Sequence, residues 1–483
     1  MSIHRIILLL LLLAAAAPGR LHAGNFIPSD KPNPWADDYR NVARMDSCAR
    51  WGTYNVHDPS CRLVDGWYYM YSTDAIFSQH SPAPGFIQVR RSRDLVSWEF
   101  AGWAFDEIPA EAVEWVHSTS GGKGATNIWA PYMIQAPDGR FRLYYCVSAF
   151  GRNTSYIGLA EADSPEGPWQ QKGCVVKTDS SSPMNAIDPS VIAARDGKWW
   201  MHYGSFFGGL YCMELDPSTG LAATPDDHGH LIARRANYRK DNLEAPEIYY
   251  DIERDKYYLF TSYDPLMTTY NVRVARSDSP FGPFKDFFGK EIADTTDNFP
   301  ILTAPYRFEK HPGWMGTAHC SVFTDRNGKP FMAHQGRYAE MPEMMDLHIR
   351  QIFFTPEGWP VVSPQRFTAS EPAHFSREDL CGTWEIIRVH EPSAERNLEA
   401  GQILWGEGAL LDGECNVSSL LHLAEEADDW TFNPQKQSLS LRINGEVIEN
   451  LIIFAGHDWE RQRETILFSG LDPQGRSVWG KRI

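Results

Sequence analysis

The chain has 483 residues, enough for about two to four domains and a large buried core. Aromatic residues make up 13 % of it, which points to β-structure, carbohydrate contact, or both. A net charge of −17 argues against nucleic-acid or anionic-membrane partners, since both reward basic patches.

The N-terminus reads as a signal peptide over residues 1–23. Arg5 precedes an apolar run from Ile6 to Ala17, and Leu21-His22-Ala23 ends in a small residue suited to cleavage. The run is short for a membrane span, and no cysteine follows it to carry a lipid anchor, so no stable membrane anchor is expected. The product is therefore expected to be exported, to a bacterial periplasm or the extracellular space. Eight cysteines are scattered without a C-x-x-C pair, which leaves a zinc ribbon or thioredoxin-type site unsupported. Cys146 and Cys212 lie inside apolar strand patterns and read as buried thiols, while Cys48 and Cys61 are a candidate bridge.

From residue 55 the chain repeats itself. "DGWYYMYSTD", "DGRFRLYYCVSAF", "DGKWWMHYGSF", "ERDKYYLFTSYD" and "NGKPFMAHQGR" each place a tight turn before an aromatic-rich strand. Asp-Gly and Asn-Gly suit two-residue hairpins because both positions need positive φ. A short apolar strand precedes each turn, and further strands follow in most units, as in "SYIGLAEADSPEGPWQQKG" and "NVRVARSDSPFGPFKDF". The turns begin near residues 65, 138, 196, 254 and 327, at intervals of 73, 58, 58 and 73. Four-stranded units repeated five times predict an all-β, five-bladed β-propeller over residues 24–370, favoured over an array of sandwiches. No segment between residues 50 and 365 keeps a helical period. The pattern fades after "GWPVVSPQRF", and the short alternating segments that follow predict a separate small β-barrel over residues 371–483.

In a propeller the innermost strands line the central channel, so residues just before them gather at one mouth. The units start "HDPS" with Asp58, "NIWAP" with Trp129, "NAIDPSV" with Asp188, "NLEAPEI" with Glu244 and "GTAHCSV" with His319. Three of these five starts put an acid in what reads as the same slot. A single Asp-Pro is more often a turn. Three converging carboxylates repel one another, and one with a raised pKa beside one that is ionised is the equipment for glycoside hydrolysis. Glu247, three residues past Glu244, competes for the acid's role, but strand alternation turns it to the other face.

These motifs, with "IWAPYMI", "YYCVSAFGRNTSYIGLA", "MHYGSFFGGLYCMELD" and "TTYNVRVARS", resemble glycoside hydrolase family 43 over residues 50–367. They are most similar to the endo-arabinanases that cut α-1,5-linked arabinan. The stretch ending "VWGKRI" resembles the extra β-barrel domain some of these carry. The resemblance implies inverting hydrolysis, with Asp58 the general base, Glu244 the general acid, and Asp188 tuning and orienting that acid. It implies Trp129 and Phe150 as walls of the sugar subsites, Asn185 and Ser205 as polar contacts, and His319 beside a mostly water-bound Ca²⁺ in the channel. Of Phe206 and Phe207, one is expected to pack inside the blade. The Met-rich stretch from Met341 to Met345 is expected at the cleft rim, where it leaves endo and exo action both open. Two other readings stand: a relative acting on another pentose glycoside, as an α-L-arabinofuranosidase or β-xylosidase, and a non-catalytic carbohydrate-binding propeller.

Overall fold

The computed structural model describes residues 48–75, 85–235, 241–294, 297–391 and 415–483; the expected leader over 1–23 lies outside them. The described chain is all-β in character, a propeller followed by a C-terminal β domain. Four sheets each hold four antiparallel strands. The first runs His57–Val64, Trp67–Thr73, Phe86–Ser92 and Glu99–Phe105, and it shows how sequence drives the form. Asp65 and Gly66 take φ of 49° and 77°, which lets Val64 pair directly with Trp67 across a two-residue turn. The second sheet starts at Trp129–Gln135, the third at Ser190–Ala193 and the fourth at Leu243–Asp251. In the expected fifth unit, Cys320–Thr324, Pro330–Tyr338, Met341–Phe354 and Pro360–Val362 pair in the same up-and-down order. There, however, they belong to a larger sheet that also takes in Tyr306–Arg307, Trp314–Met315 and Asn416–Val417.

Neighbouring units are joined around the axis by one repeated bond. Met133 N–H donates to Ser60 Oγ at 3.2 Å, Ile248 N–H to Ser190 Oγ at 3.1 Å, and Val322 N–H to Glu247 Oε1 at 2.7 Å. Cys61 N–H donates to Ser321 Oγ at 3.1 Å, which ties the last unit to the first, and Tyr132 O–H donates to Val191 O at 2.8 Å. The linking side chains are Ser60, Tyr132, Ser190, Glu247 and Ser321, one from each inner strand, so the links form a closed belt. Buried backbone groups that would otherwise lack partners are satisfied by it.

The C-terminal domain is one seven-stranded antiparallel sheet, wrapped on a core that includes Trp384, Trp430, Leu439 and Phe468. Its first strand, Gly382–Arg388, follows the last propeller strand, Pro360–Val362, and the expected boundary at 370/371 lies between them. The two parts are stitched together. Tyr306 pairs with Asn416 in parallel, and one apolar cluster runs from Trp314 and Val362 to Ile387 and Trp479. Lys481, fully buried, lies 2.8 Å from Asp458 and 3.2 Å from Glu385. Arg461 bridges Glu385 and the propeller's Glu309, at 2.8 and 2.7 Å.

Two expectations are corrected. Residues Ala110–Ser120 form an α-helix ended by Gly121 in the left-handed region, where none was expected. Only Ala112, Val116 and Ser120 are buried on it, a stripe too narrow to show as a period. Cys48 and Cys61 are both free, with Cys61 buried. The stretch from Met341 extends a long strand, in which Met345 is buried and pairs with Arg337.

Candidate active site

Each inner strand begins with a residue in the left-handed region: Asp58, Ala130, Asp188, Ala245 and His319, with φ between 40° and 57°. Proline follows in four of the five, where no N–H is required. Such φ values are costly for residues with a Cβ, so neighbours must hold them. The preceding unit does so by taking each N–H. Asp58 N–H donates to Gln335 Oε1, Ala130 N–H to Thr73 Oγ1, Asp188 N–H to Cys146 Sγ, Ala245 N–H to Asp188 Oδ2 and His319 N–H to Ser262 Oγ.

This frame corrects the expected alignment of the acids. Asp58 and Asp188 hold the left-handed slot, but Glu244 stands one residue before it, in the position of Trp129 and His57. Bulges between His57 and Ser60, Trp129 and Tyr132, and Glu244 and Glu247 turn both positions toward the mouth. All three acids face one cavity of about 700 Å³, which Trp129, Phe150, Asn185, Ser205 and His319 also line. Every residue assigned a site role from the resemblance is thus brought to one place. Glu247 is not in that lining; it lies below the bulge, in the belt.

Asp58 is clamped. His57 Nδ1 lies 2.7 Å and His319 Nδ1 2.9 Å from its Oδ1, and Thr73 O–H donates to Oδ2 at 2.7 Å. Burial alone would raise its pKa, but the two imidazoles outweigh burial and hold the carboxyl well below its usual range. Burial also opposes charge on His319, yet Asp58 beside it, with Asp188 and Glu244 nearby, raises that imidazole to about 9. Asp188 moves the opposite way. Burial pushes it well above the usual range, His319 offsets part of this, and the charges of Glu244 and Asp58 add to the rise. Glu244 is held at both oxygens, by Ser205 O–H on Oε2 and Tyr270 O–H on Oε1, each at 2.6 Å. The pocket therefore sets a fixed anion, Asp58, beside Asp188, whose carboxyl resists ionisation.

Ser205 sits in a strained loop. Phe206 and Phe207 have φ of 52° and 39°, unusual for bulky side chains, and a Cβ on Gly208 would meet Pro183 O at 1.9 Å. Both phenylalanines are half-buried and line the cavity, so neither packs wholly inside the blade as expected. Phe150, 58 % exposed, stands at the rim. Asn185 is buried and accepts a hydrogen bond from Ser155 O–H at 2.6 Å.

His57, Thr73 and Tyr270 were not singled out from sequence. His57 stands in the quoted "HDPS", but only the fold shows its ring turned on its neighbour. Tyr270 lies 26 residues past Glu244 and carries no repeat signal.

The family model described as glycosyl hydrolases family 43 matches residues 52–360, and one described as a C-terminal lipocalin-like domain matches 364–480. The chain is 29 % identical over 474 residues to an extracellular endo-α-(1→5)-L-arabinanase of Thermotoga petrophila, covering 90 % of this chain and 94 % of that one. It is 32 % identical over 326 residues to an extracellular exo-α-(1→5)-L-arabinofuranosidase of Cellvibrio japonicus, covering 64 % and 86 %. A crystal structure of endo-1,5-α-L-arabinanase from T. petrophila superposes with a TM-score of 0.73 at 27 % identity, over 90 % of this chain and 99 % of that one. A Cellvibrio cellulosa α-L-arabinanase complexed with arabinohexaose superposes at 0.54 and 31 % identity, over 64 % and 95 %.

Proposed function

The chain belongs to glycosyl hydrolases family 43, and from that premise we propose that it is an exported enzyme that hydrolyses α-1,5-linked L-arabinan. The observation that carries this reading is one cavity in which Asp58 is flanked by His57 and His319 while Glu244 is held at both oxygens by Ser205 and Tyr270, with Asp188 beside them. Asp58 is the general base. The two imidazoles crowd Oδ1 and Thr73 takes one lone pair of Oδ2, which leaves Oδ2 another for the water. Glu244 is the general acid, fixed in aim by Ser205 and Tyr270. Asp188, its carboxyl raised well above the usual range by burial and by the charges of Glu244 and Asp58, tunes and orients that acid. Single displacement with inversion needs a base-to-acid gap of about 6.5–9.5 Å, which leaves room for that water.

Trp129, Phe150, Phe206 and Phe207 supply apolar faces for the sugar rings, and Asn185 and Ser205 its polar contacts. Endo action is the primary reading, supported by the relatives that match both domains. Exo action is the second, supported by the relative from C. japonicus. We take the fifth run of strands as a fifth blade, because the axial belt closes only when it is counted. The lipocalin-like match supports reading the C-terminal sheet as a barrel. Export is supported by the Arg5–Ala23 pattern and by relatives named extracellular.

Calcium is also proposed. Among the described residues no group of three His, Cys, Asp or Glu side chains forms a cage for an ion. His319 Nδ1 lies against Asp58, so its Nε2 would be the contact for a cation otherwise held by water, the cation taking the place of the ring's second proton. Such an ion supplies positive charge that steadies the ionised carboxylates.

Product analysis over time on linear arabinan tests the function. A spread of oligomers is expected, and one small product throughout means exo action. No release from arabinan, with release from arabinoxylan or aryl-glycosides, means another pentose substrate. Glu244→Gln is expected to abolish turnover, and unchanged turnover in that variant would overturn the acid assignment.

A further inference from the structure

Among the described residues, Glu247 is the one carboxylate that links two units of the axial belt, and the mechanism above does not use it. It stands three residues past Glu244 on the same strand, fully buried and outside the cavity lining. Its Oε1 accepts Val322 N–H at 2.7 Å, and its Oε2 accepts Ser190 O–H at 2.7 Å. Ser190 is two residues past Asp188 and in turn accepts Ile248 N–H at 3.1 Å. Ser321, two residues past His319, lies 3.4 Å from Oε1 and accepts Cys61 N–H at 3.1 Å, three residues past Asp58. Arg62 lies 3.9 Å from Oε1, donates to Ser321 Oγ at 3.2 Å, and lays its guanidinium over the Tyr132 ring at 4.4 Å. One carboxylate thus joins the segments directly beneath Asp58, Asp188, Glu244 and His319.

The other links of the belt are made by neutral hydroxyls. A hydroxyl at position 247 is too short to reach both adjoining units, and it leaves Arg62 without a counter-charge. The strand starts above are in the left-handed region and persist only where neighbours over-determine them.

We propose that Glu247 is a positioning residue for hydrolysis: by locking four strand starts from below, it sets the spacing of the carboxylates in the cavity. This rests on the reading of Asp58, Asp188 and Glu244 as the catalytic set.

The test uses Glu247→Gln, which keeps shape and one acceptor but removes the charge facing Arg62, with Ser190→Ala and Ser190→Thr. Full-length variants are assayed on linear arabinan, and the Glu247→Gln and Ser190→Ala proteins are crystallised. Glu247→Gln is expected to lower kcat roughly tenfold or more with KM nearly unchanged, because small misplacements of reacting groups are costly. Its pH–rate profile shifts, since the coupling between carboxyls depends on their spacing. Ser190→Ala loses kcat in the same manner, and Ser190→Thr restores it by returning the hydroxyl. In the crystal structures the Asp58-to-Glu244 carboxyl separation changes, or Ala245 leaves the left-handed region. Unchanged kcat and pH profile, with the three carboxylates superposing on wild type, would overturn the proposal. If Glu247→Gln fails to fold, Ser190→Ala decides by the same readouts. If wild-type protein releases nothing from arabinan, the functional reading fails, and the carboxyl spacing in the crystal structures alone decides the positioning role.

Discussion

Thr73 is bonded to Asp58 and at the same time to the next strand start: its O–H donates to Asp58 Oδ2 at 2.7 Å, and its Oγ1 accepts Ala130 N–H at 2.8 Å. One hydroxyl therefore orients the proposed base and holds the backbone beside Trp129. Thr73→Val keeps the shape and removes both bonds, leaving Ala130 N–H buried without its partner. Kinetics on arabinan are expected to show kcat falling about tenfold or more, and denaturant melts a loss of about 1–3 kcal/mol. Thr73→Ser, which keeps the hydroxyl, is expected to stay near wild type.

Trp129 lies at a strand start with its ring half-buried in the cavity wall. Stacking on a sugar is uniform binding, felt in both ground and transition states. Trp129→Ala is expected to raise KM about tenfold or more, with a smaller fall in kcat, as removal of such binding does. A kcat loss with KM unchanged would assign the ring to positioning instead.

The seam between propeller and C-terminal sheet gives a pH signature. Burial would raise Asp458, but Lys481 and Arg461 outweigh it and lower its pKa. Burial would lower Lys481, but Glu460 and Asp458 outweigh it and raise its pKa. A lowered carboxyl contributes stability above its unfolded pKa, about 3.9, and loses it as pH falls through the folded value. A raised amine contributes below its unfolded pKa, about 10.4, and loses it as pH rises through the folded value. The melting temperature is therefore expected to hold across neutral pH and to fall below about pH 4. Asp458→Asn is expected to flatten part of that acid fall while costing about 1–3 kcal/mol at pH 7, since Lys481 loses one of its three carboxylate partners and keeps Glu385 and Glu460.

Chelation tests the cation beside His319. Treatment with a chelator is expected to lower activity and melting temperature, and added Ca²⁺ to restore both. His319→Ala protein is expected to show no calcium-dependent shift in its melting temperature. A wild-type protein indifferent to chelator would remove the ion from the account.

Much of the site was legible because the repeat sorts residues by position. Asp58, Trp129, Asp188, Glu244 and His319 stand at corresponding places in five units, and the fold turns all five to one cavity. What the repeat hid was a one-residue offset. Asp58 and Asp188 occupy the left-handed position while Glu244 precedes it, because bulges re-aim residues that strand parity alone would send elsewhere. The same parity argument put Glu247 on another face, and the structure gives that face a purpose, in the belt. The helix Ala110–Ser120 escaped notice because three buried residues carry too faint a stripe.

The sequence by itself determined the repeat, the hairpins and the identity of the acids, since turn chemistry and strand alternation are local and act wherever the chain lies. Only the tertiary structure decided which groups those acids meet. His57 and His319 come from opposite ends of the propeller chain to grip Asp58, and Tyr270 and Ser205 approach Glu244 from two different sheets. Protonation depends on such contacts through burial and charge over a few ångströms. So the contrast between Asp58, held well below the usual carboxylate range, and Asp188, pushed well above it, exists only once the ring has closed.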